Sequence, residues 1–236
     1  MFCSLTLVSE VDFPQFNSIS SMKEMLDYYA TGPASEIDSS ARFDFDIWNL
    51  IENWRRILGI AGNRLLDVGG GLGKFSAMAI RKGFDVTMVD ISRDIIQRAV
   101  ALHPELKDRV YILDIFNPQN VTDFIRKHGQ FDIILSLGFV VNHTDSPEKI
   151  LCALDNHLKL AKANSLLVID IEVCEMWRNR PILTWCDFWC ALLPLEKLGW
   201  WLSTRGLHVL DVHSLHYKYI SGAEDHGVRL FIHKLW

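Results

Sequence analysis

The stretch Arg64-Leu65-Leu66-Asp67-Val68-Gly69-Gly70-Gly71-Leu72-Gly73-Lys74-Phe75-Ser76 decides the fold. Leu65, Leu66 and Val68 suit a short strand covered on both faces, as in a parallel sheet. Glycines at alternate positions 69, 71 and 73 allow a turn with positive φ and remove the side chains that would hold a ligand away from the backbone. The helix that follows offers free N–H groups and the positive end of its dipole. Strand, glycine turn and helix together form a place where backbone meets a polar small molecule at the carboxyl edge of a sheet.

Spacing selects among the ligands. A dinucleotide fingerprint G-x-G-x-x-G needs glycine at 74 or 76, and those positions are Lys74 and Ser76. A phosphate-binding G-x-x-x-x-G-K-[ST] needs glycine at 68 and a hydroxyl at 75, and these are Val68 and Phe75. What stands is D-x-G-x-G-x-G, with Asp67 two residues before Gly69. Phe84-Asp85-Val86-Thr87-Met88-Val89-Asp90 is a second apolar strand ending in an acid, 17 residues beyond Gly73. A carboxylate there suits two hydrogen bonds from a ribose diol, which fits several nucleoside cofactors. Val110-Tyr111-Ile112-Leu113-Asp114-Ile115 is a third strand with a terminal acid, and Phe131-Asp132-Ile133-Ile134-Leu135-Ser136-Leu137-Gly138 is a fourth.

These four segments, in this order and at these intervals, resemble the class I S-adenosylmethionine-dependent methyltransferases, and the resemblance runs from about residue 45 to 236. It implies a Rossmann-like α/β fold, a doubly wound sheet that is mostly parallel with a C-terminal antiparallel hairpin (the seven-stranded methyltransferase type). It implies S-adenosyl-L-methionine as cofactor and S-adenosylhomocysteine as product. On the matching positions it implies cofactor contacts from Asp67, Gly69, Gly71, Gly73, Asp90, Ile91, Asp114, Ile115 and Ser136. In that family the acid at the end of the third strand commonly faces the adenine amino group.

The rest of the chain fits the same plan. Asp46 to Leu58 reads as a helix with Ile47, Leu50, Ile51, Trp54, Ile57 and Leu58 on one face. After the glycine turn, helices at 74–82, 92–102, 121–127 and 146–160 alternate with strands at 85–90, 110–114, 131–135 and 166–171, the signature of a parallel sheet. Ser92, and Ser146 followed by Pro147, serve as helix starts. The family often carries Pro-Gly-Gly before its fifth strand. Here Lys162-Ala163-Asn164-Ser165 makes that turn, with Asn164 tolerating the left-handed conformation. A last helix is expected at about 195–205. Strands at about 209–217 and 228–234 then form the antiparallel ending, which dinucleotide-dependent dehydrogenases usually lack.

Two regions point to the acceptor. Residues 1–45 read as a cap, with a short helix at Met22 to Ala30, adjacent Tyr28 and Tyr29, and a breaker cluster over 31–35. Residues 46–236 form the cofactor-binding domain, and within it about 173–193 exceeds what one crossover helix needs. Five of the eight tryptophans fall between 177 and 201. Trp177, Trp185 and Trp189 therefore read either as core or as an aromatic lid over a flat or apolar substrate. Tyr28 and Tyr29 join them as substrate-binding candidates. His143, in the loop that leaves the fourth strand, is the candidate general base.

At 236 residues the chain can bury a full core. A net charge of −5 argues against a nucleic-acid partner. Five irregularly spaced cysteines give no disulfide framework. No signal peptide or membrane span is visible, so a cytoplasmic enzyme is expected. Ser136 and Leu137 stand where a metal-dependent enzyme would place carboxylates, so no metal is expected. The function expected is methyl transfer to O or N of a small, apolar or aromatic metabolite, of the secondary-metabolite type. An NAD(P)-dependent oxidoreductase and a non-catalytic S-adenosylmethionine-binding interaction protein are the alternatives.

Overall fold

The structure is a computed structural model that describes Lys23, Asp27, Thr31 and residues 47–174, 183–185, 188–218 and 224–236, with the backbone alone at 183–185, 188–190, 216–218 and 224–226. Tyr28, Tyr29 and Trp177 lie outside the described residues. So does most of the cap, although Lys23, Asp27 and Thr31 are helical, and the Thr31 hydroxyl donates to the Asp27 carbonyl at 2.7 Å.

In chain order the elements are α1 (Ile47–Leu58), β1 (Arg64–Val68), α2 (Lys74–Arg81), β2 (Asp85–Asp90), α3 (Arg93–Leu102), β3 (Val110–Ile112), α4 (Pro118–His128), β4 (Phe131–Ser136), α5 (Pro147–Leu160), β5 (Ala161–Cys174), β6 (Leu183–Trp185), β7 (Phe188–Cys190), β8 (Leu193–Pro194), α6 (Leu195–Thr204), β9 (His208–Lys218) and β10 (Glu224–Lys234). The main sheet runs β3-β2-β1-β4-β5-β10-β9. Its first five strands are parallel, and β10 and β9 are antiparallel. This is the doubly wound sheet with an antiparallel ending that the sequence predicts. The short β8 adds itself in parallel to the end of β5.

Both faces of the sheet are covered, which is why β4 is buried along its whole length. On one face Leu66, Ile134, Leu167 and Leu230 meet α4, α5 and α6 through Phe124, Ile150, Leu154 and Trp201. On the other, Leu65, Ile133, Val168 and Phe231 meet α1 and α2 through Ile47, Trp48, Ile51 and Phe75.

Helix starts follow local chemistry. Ser92 and Ser146 accept from the amides of Ile95 and Lys149 at 3.4 and 3.3 Å. Asn117 caps α4 by accepting from Gln119 and Asn120, so this helix starts at Pro118 rather than at 121. Asn164 has φ +51°, the left-handed turn expected of it. The expected face of α1 is corrected. The buried face of α1 is set by Ile47, Trp48 and Ile51, while Ile57 is 65% exposed, because at 100° per residue it falls outside that stripe. The described part of the expected insertion holds an antiparallel strand pair, β6 with β7.

His157 of α5 is fully buried, its Nδ1 2.7 Å from the Ala153 carbonyl, and burial lowers its pKa to about 4. The unfolded chain, with an imidazole pKa near 6.5, binds a proton that the folded chain refuses between pH 6.5 and 4. Folded stability from this group is therefore present at neutral pH and is lost on acidification through that window, by about 3 kcal/mol. Urea denaturation of the wild type and of His157→Leu at pH 7 and 4.5 isolates it. The difference in stability between the two proteins should narrow by that order at the lower pH.

Candidate active site

β1 ends at Val68 and the glycine turn begins. The amides of Gly69 and Gly70 both donate to the Val89 carbonyl, at 2.8 and 3.1 Å, which stitches the turn to the end of β2. The Gly73 amide donates to the Gly70 carbonyl at 2.9 Å, and Gly73, with φ +82°, hands the chain to α2. Beneath the turn lies Asp67, buried, its Oδ2 accepting from the Ser76 hydroxyl at 2.7 Å. Burial raises its pKa to about 6, and the charge of Asp90 adds to the rise.

Asp90 closes β2. Its Oδ2 accepts from the Gly71 amide at 3.2 Å and its Oδ1 from the Ser92 amide at 3.0 Å. Burial nevertheless raises its pKa to about 6. A carboxylate has about four acceptor positions, so these backbone donors leave room for a ligand's hydroxyl. Gly71 has φ +54°, and a methyl group built there would meet nothing within 4 Å. Open space therefore lies over the turn, next to a fixed carboxylate. Gly69 is the opposite case, since a methyl group there would run into Val140 at 2.5 Å.

The remaining sequence-predicted residues stand around this pair. Ile91 is half-exposed just beyond Asp90. Asp114 follows β3, the neighbour of β2, and its Oδ1 accepts from the Phe116 amide at 2.9 Å. Ile115 turns into the core and its carbonyl accepts from Asn156 at 2.8 Å, which leaves its backbone N–H as the polar group it can offer. Ser136 is wholly buried one residue beyond Leu135, the register partner of Asp67, and its hydroxyl has no hydrogen-bond partner among the described residues.

The loop after β4 folds back over the glycine turn through a 3-10 turn, Val140–Asn142, and His143 follows it. Burial pushes the His143 pKa down to about 4. Trp185 lies in β6 and Trp189 in β7, described by their backbone alone. Trp201 is core and Trp200 is largely exposed. Among the described residues no three His, Cys, Asp or Glu side chains gather as metal ligands, and no helix is long and apolar enough to cross a membrane.

Two polar devices were not anticipated from the sequence. Asn142 is fully buried. Its amide donates to the carbonyls of Glu172 (3.0 Å) and Ala191 (2.7 Å), and its oxygen accepts from the Glu172 amide (2.9 Å). It thus ties the loop after β4 to the end of β5 and to the C-terminal foot of the insertion. The second is a buried pair, Asp170 with Arg229, on β5 and β10. Asp170 and Arg229 each show in the sequence only as one polar residue inside an apolar run, Ile169-Asp170-Ile171 and Val228-Arg229-Leu230, and Asn142 only as the first polar residue after Val140-Val141.

A family profile described as a methyltransferase domain matches residues 48–212, well over half of the chain. The chain belongs to that methyltransferase family. No curated protein matches it in sequence. Solved structures share the fold at low identity. The S-adenosylmethionine-dependent methyltransferase from Clostridium acetobutylicum superposes with a TM-score of 0.61 at 13% identity, over 85% of this chain and 97% of its own. Magnesium protoporphyrin IX methyltransferase from Synechocystis, with S-adenosylhomocysteine bound, gives 0.60 at 14%, over 91% of this chain and 100% of its own. A Methanosarcina mazei S-adenosylmethionine-dependent methyltransferase gives 0.55 at 17%, over 74% and 93%.

The glycine turn of the methyltransferase makes an internal comparison possible. Gly71→Ala should cost about 1–2 kcal/mol, the strain of a left-handed alanine in open space. Gly69→Ala adds overpacking against Val140, about 1–3 kcal/mol more. Urea denaturation of the two variants should rank them in that order, and equal costs would mean that Val140 does not press on the turn.

Proposed function

We propose that this methyltransferase acts on a small, apolar or aromatic molecule, methylating it at oxygen or nitrogen. The cofactor side of the reading rests on one observation, the open space over Gly71 beside the twice-braced carboxylate of Asp90. Those residues fit the nucleoside part of S-adenosylmethionine: the spare acceptor capacity of Asp90 takes the ribose hydroxyls, and a backbone without side chains admits close approach. Asp114 faces the adenine amino group, and Ile91 and Ile115 border the ring, the latter through its backbone. Gly69, Gly73, Asp67 and Ser136 shape the turn and the strand end beneath the cofactor. Bound there, S-adenosylmethionine supplies an electrophilic methyl group, so the chain's own task is alignment and exclusion of water.

The acceptor side is supported by placement. Asn142 and β8 anchor the tryptophan-bearing insertion beside the loop that leaves β4. Trp177, Trp185, Trp189, Tyr28 and Tyr29 are the residues proposed to contact an aromatic acceptor. His143 is neutral at pH 7 and accepts a hydrogen bond from the acceptor hydroxyl or amine. Its low basicity limits how far it can pull that proton, since general bases work best with a pKa near the operating pH.

Release of S-adenosylhomocysteine from S-adenosylmethionine, measured with a panel of aromatic and aliphatic alcohols, phenols and amines as acceptors, tests the reading. Activity confined to large polar acceptors would overturn it. With an active acceptor, His143→Ala should lower kcat by about 10²-fold with cofactor affinity unchanged. The acid limb of the wild-type rate should lie near pH 4, so the rate should be insensitive to this group above pH 5. A limb at 6.5 would mean that the imidazole is solvated in the working enzyme.

Cofactor affinity carries its own pH signature. Asp90, with a pKa of about 6, is protonated below that pH and then loses acceptor strength toward the ribose. Calorimetry with S-adenosylhomocysteine should show affinity falling as pH drops through 6, by up to about tenfold per unit. Asp90→Asn should bind weakly throughout and lose most of the slope, the remainder belonging to Asp67. In the same assay Gly71→Ala should bind at least about tenfold more weakly than wild type, its methyl group standing where the ligand approaches.

A further inference from the structure

The loop that leaves β4 is strapped to β5 at both ends. Asn142 holds the far end to the backbone of Glu172. The near end is held by a side chain: the Gly138 amide donates to Asp170 Oδ2 at 3.0 Å. Asp170 is itself fixed by Arg229, whose Nε donates to Oδ1 at 2.7 Å and whose Nη2 donates to Oδ2 at 2.9 Å. Both are almost fully buried, on the face of the sheet that carries α1.

The held turn is one that the chain would not adopt unaided. Gly138 has φ +76°, and Phe139, which has a Cβ, has φ +60°. A left-handed residue of this kind persists where its surroundings over-determine it. Here they do. The Phe139 ring fills the space over Gly227, where a methyl group would come within 2.6 Å of it. The turn then delivers Val140 onto Gly69, the first residue of the glycine turn. Contacts run without a break from Arg229 through Asp170, Gly138 and Val140 to the cofactor loop.

We propose that Asp170 and Arg229 are positioning residues for the cofactor site: the bidentate pair aims one carboxylate oxygen at the Gly138 amide, and the left-handed turn so fixed seats Val140 against the glycine loop. This rests on the cofactor placement proposed above. The pair's value is directional. A lone buried aspartate would be costly and free to rotate, whereas the arginine fork sets both oxygens in one plane. Neither residue touches the cofactor. Each acts through the backbone that does.

The test separates direction from stability with paired double variants, which leave no unpaired buried charge. Asp170→Leu with Arg229→Met removes the ion pair and the acceptor for Gly138. Asp170→Asn with Arg229→Met removes the ion pair and keeps that acceptor. Both are measured for Tm and, by calorimetry, for S-adenosylhomocysteine affinity. The leucine double should bind at least about tenfold more weakly than wild type, and the asparagine double should recover to within about threefold, at similar Tm. Equal affinities in the two doubles would overturn the proposal and leave a purely structural ion pair. A second arm uses the wild type alone. Coupling is reciprocal, so the bound ligand should slow hydrogen exchange several-fold in residues 137–143 as well as in 69–76. Slowing at 69–76 without any at 137–143 would overturn the proposal even if neither double variant folds. A wild type that fails to bind S-adenosylhomocysteine would instead refute the cofactor placement.

Discussion

The site depends on the lateral pairing of β1 with β4. Chain order runs outward from β1 to β3, then jumps across the sheet so that β4 lies on the other side of β1. The connections on either side of that jump turn away from each other, and a crevice opens at the carboxyl ends between them. Register makes the crevice specific. Leu65, Leu66 and Asp67 stand beside Ile133, Ile134 and Leu135, so the two strands end together. The glycine turn and the loop after β4 therefore emerge at one level, close enough for Val140 to rest on Gly69. A two-residue shift in this pairing would separate them by about 7 Å.

Of the carboxylates buried around that crevice, the chain treats three differently. Asp67 has a serine hydroxyl, Asp90 two backbone amides, and Asp170 a guanidinium together with one amide. Asp67 and Asp90 pay for burial with raised pKa values, which keep the glycine turn responsive to charge near pH 6. Asp170 is compensated by a full countercharge. The first arrangement suits a group that must accept further hydrogen bonds, the second a group that must hold one geometry.

What could be read from the sequence was local. The glycine spacing, the acids at strand ends, Ser92 and Ser146 as caps and the left-handed Asn164 are each set by a few neighbouring residues. Trp48 in place of Ile57 on the buried side of α1 was missed because both are apolar, and only the neighbouring sheet chooses between them. Asn142 with Glu172 and Asp170 with Arg229 were invisible for another reason. The partners lie 30 and 59 residues apart, and nothing in the residues around any one of them names its partner. An insertion was expected from length and tryptophan content. Its strand pair was not, because short apolar runs do not distinguish strand from helix.

The sheet's two margins have a consequence for the molecule in a crowded solution. An open sheet offers a row of unused N–H and C=O groups at each outer strand, a template on which another copy could grow. At one margin β3 is three residues long, too short to template much. At the other, β9 runs for 11 residues and carries partly exposed Val209 and Val212, but its pairing with β10 slips between Phe231 and Ile232, leaving Leu210 as an extra residue in the outer strand. That irregularity twists the outer strand away from the flat geometry that accretion needs. The same hairpin that carries Arg229 toward the crevice thus also ends the sheet in an edge poorly suited to strand addition.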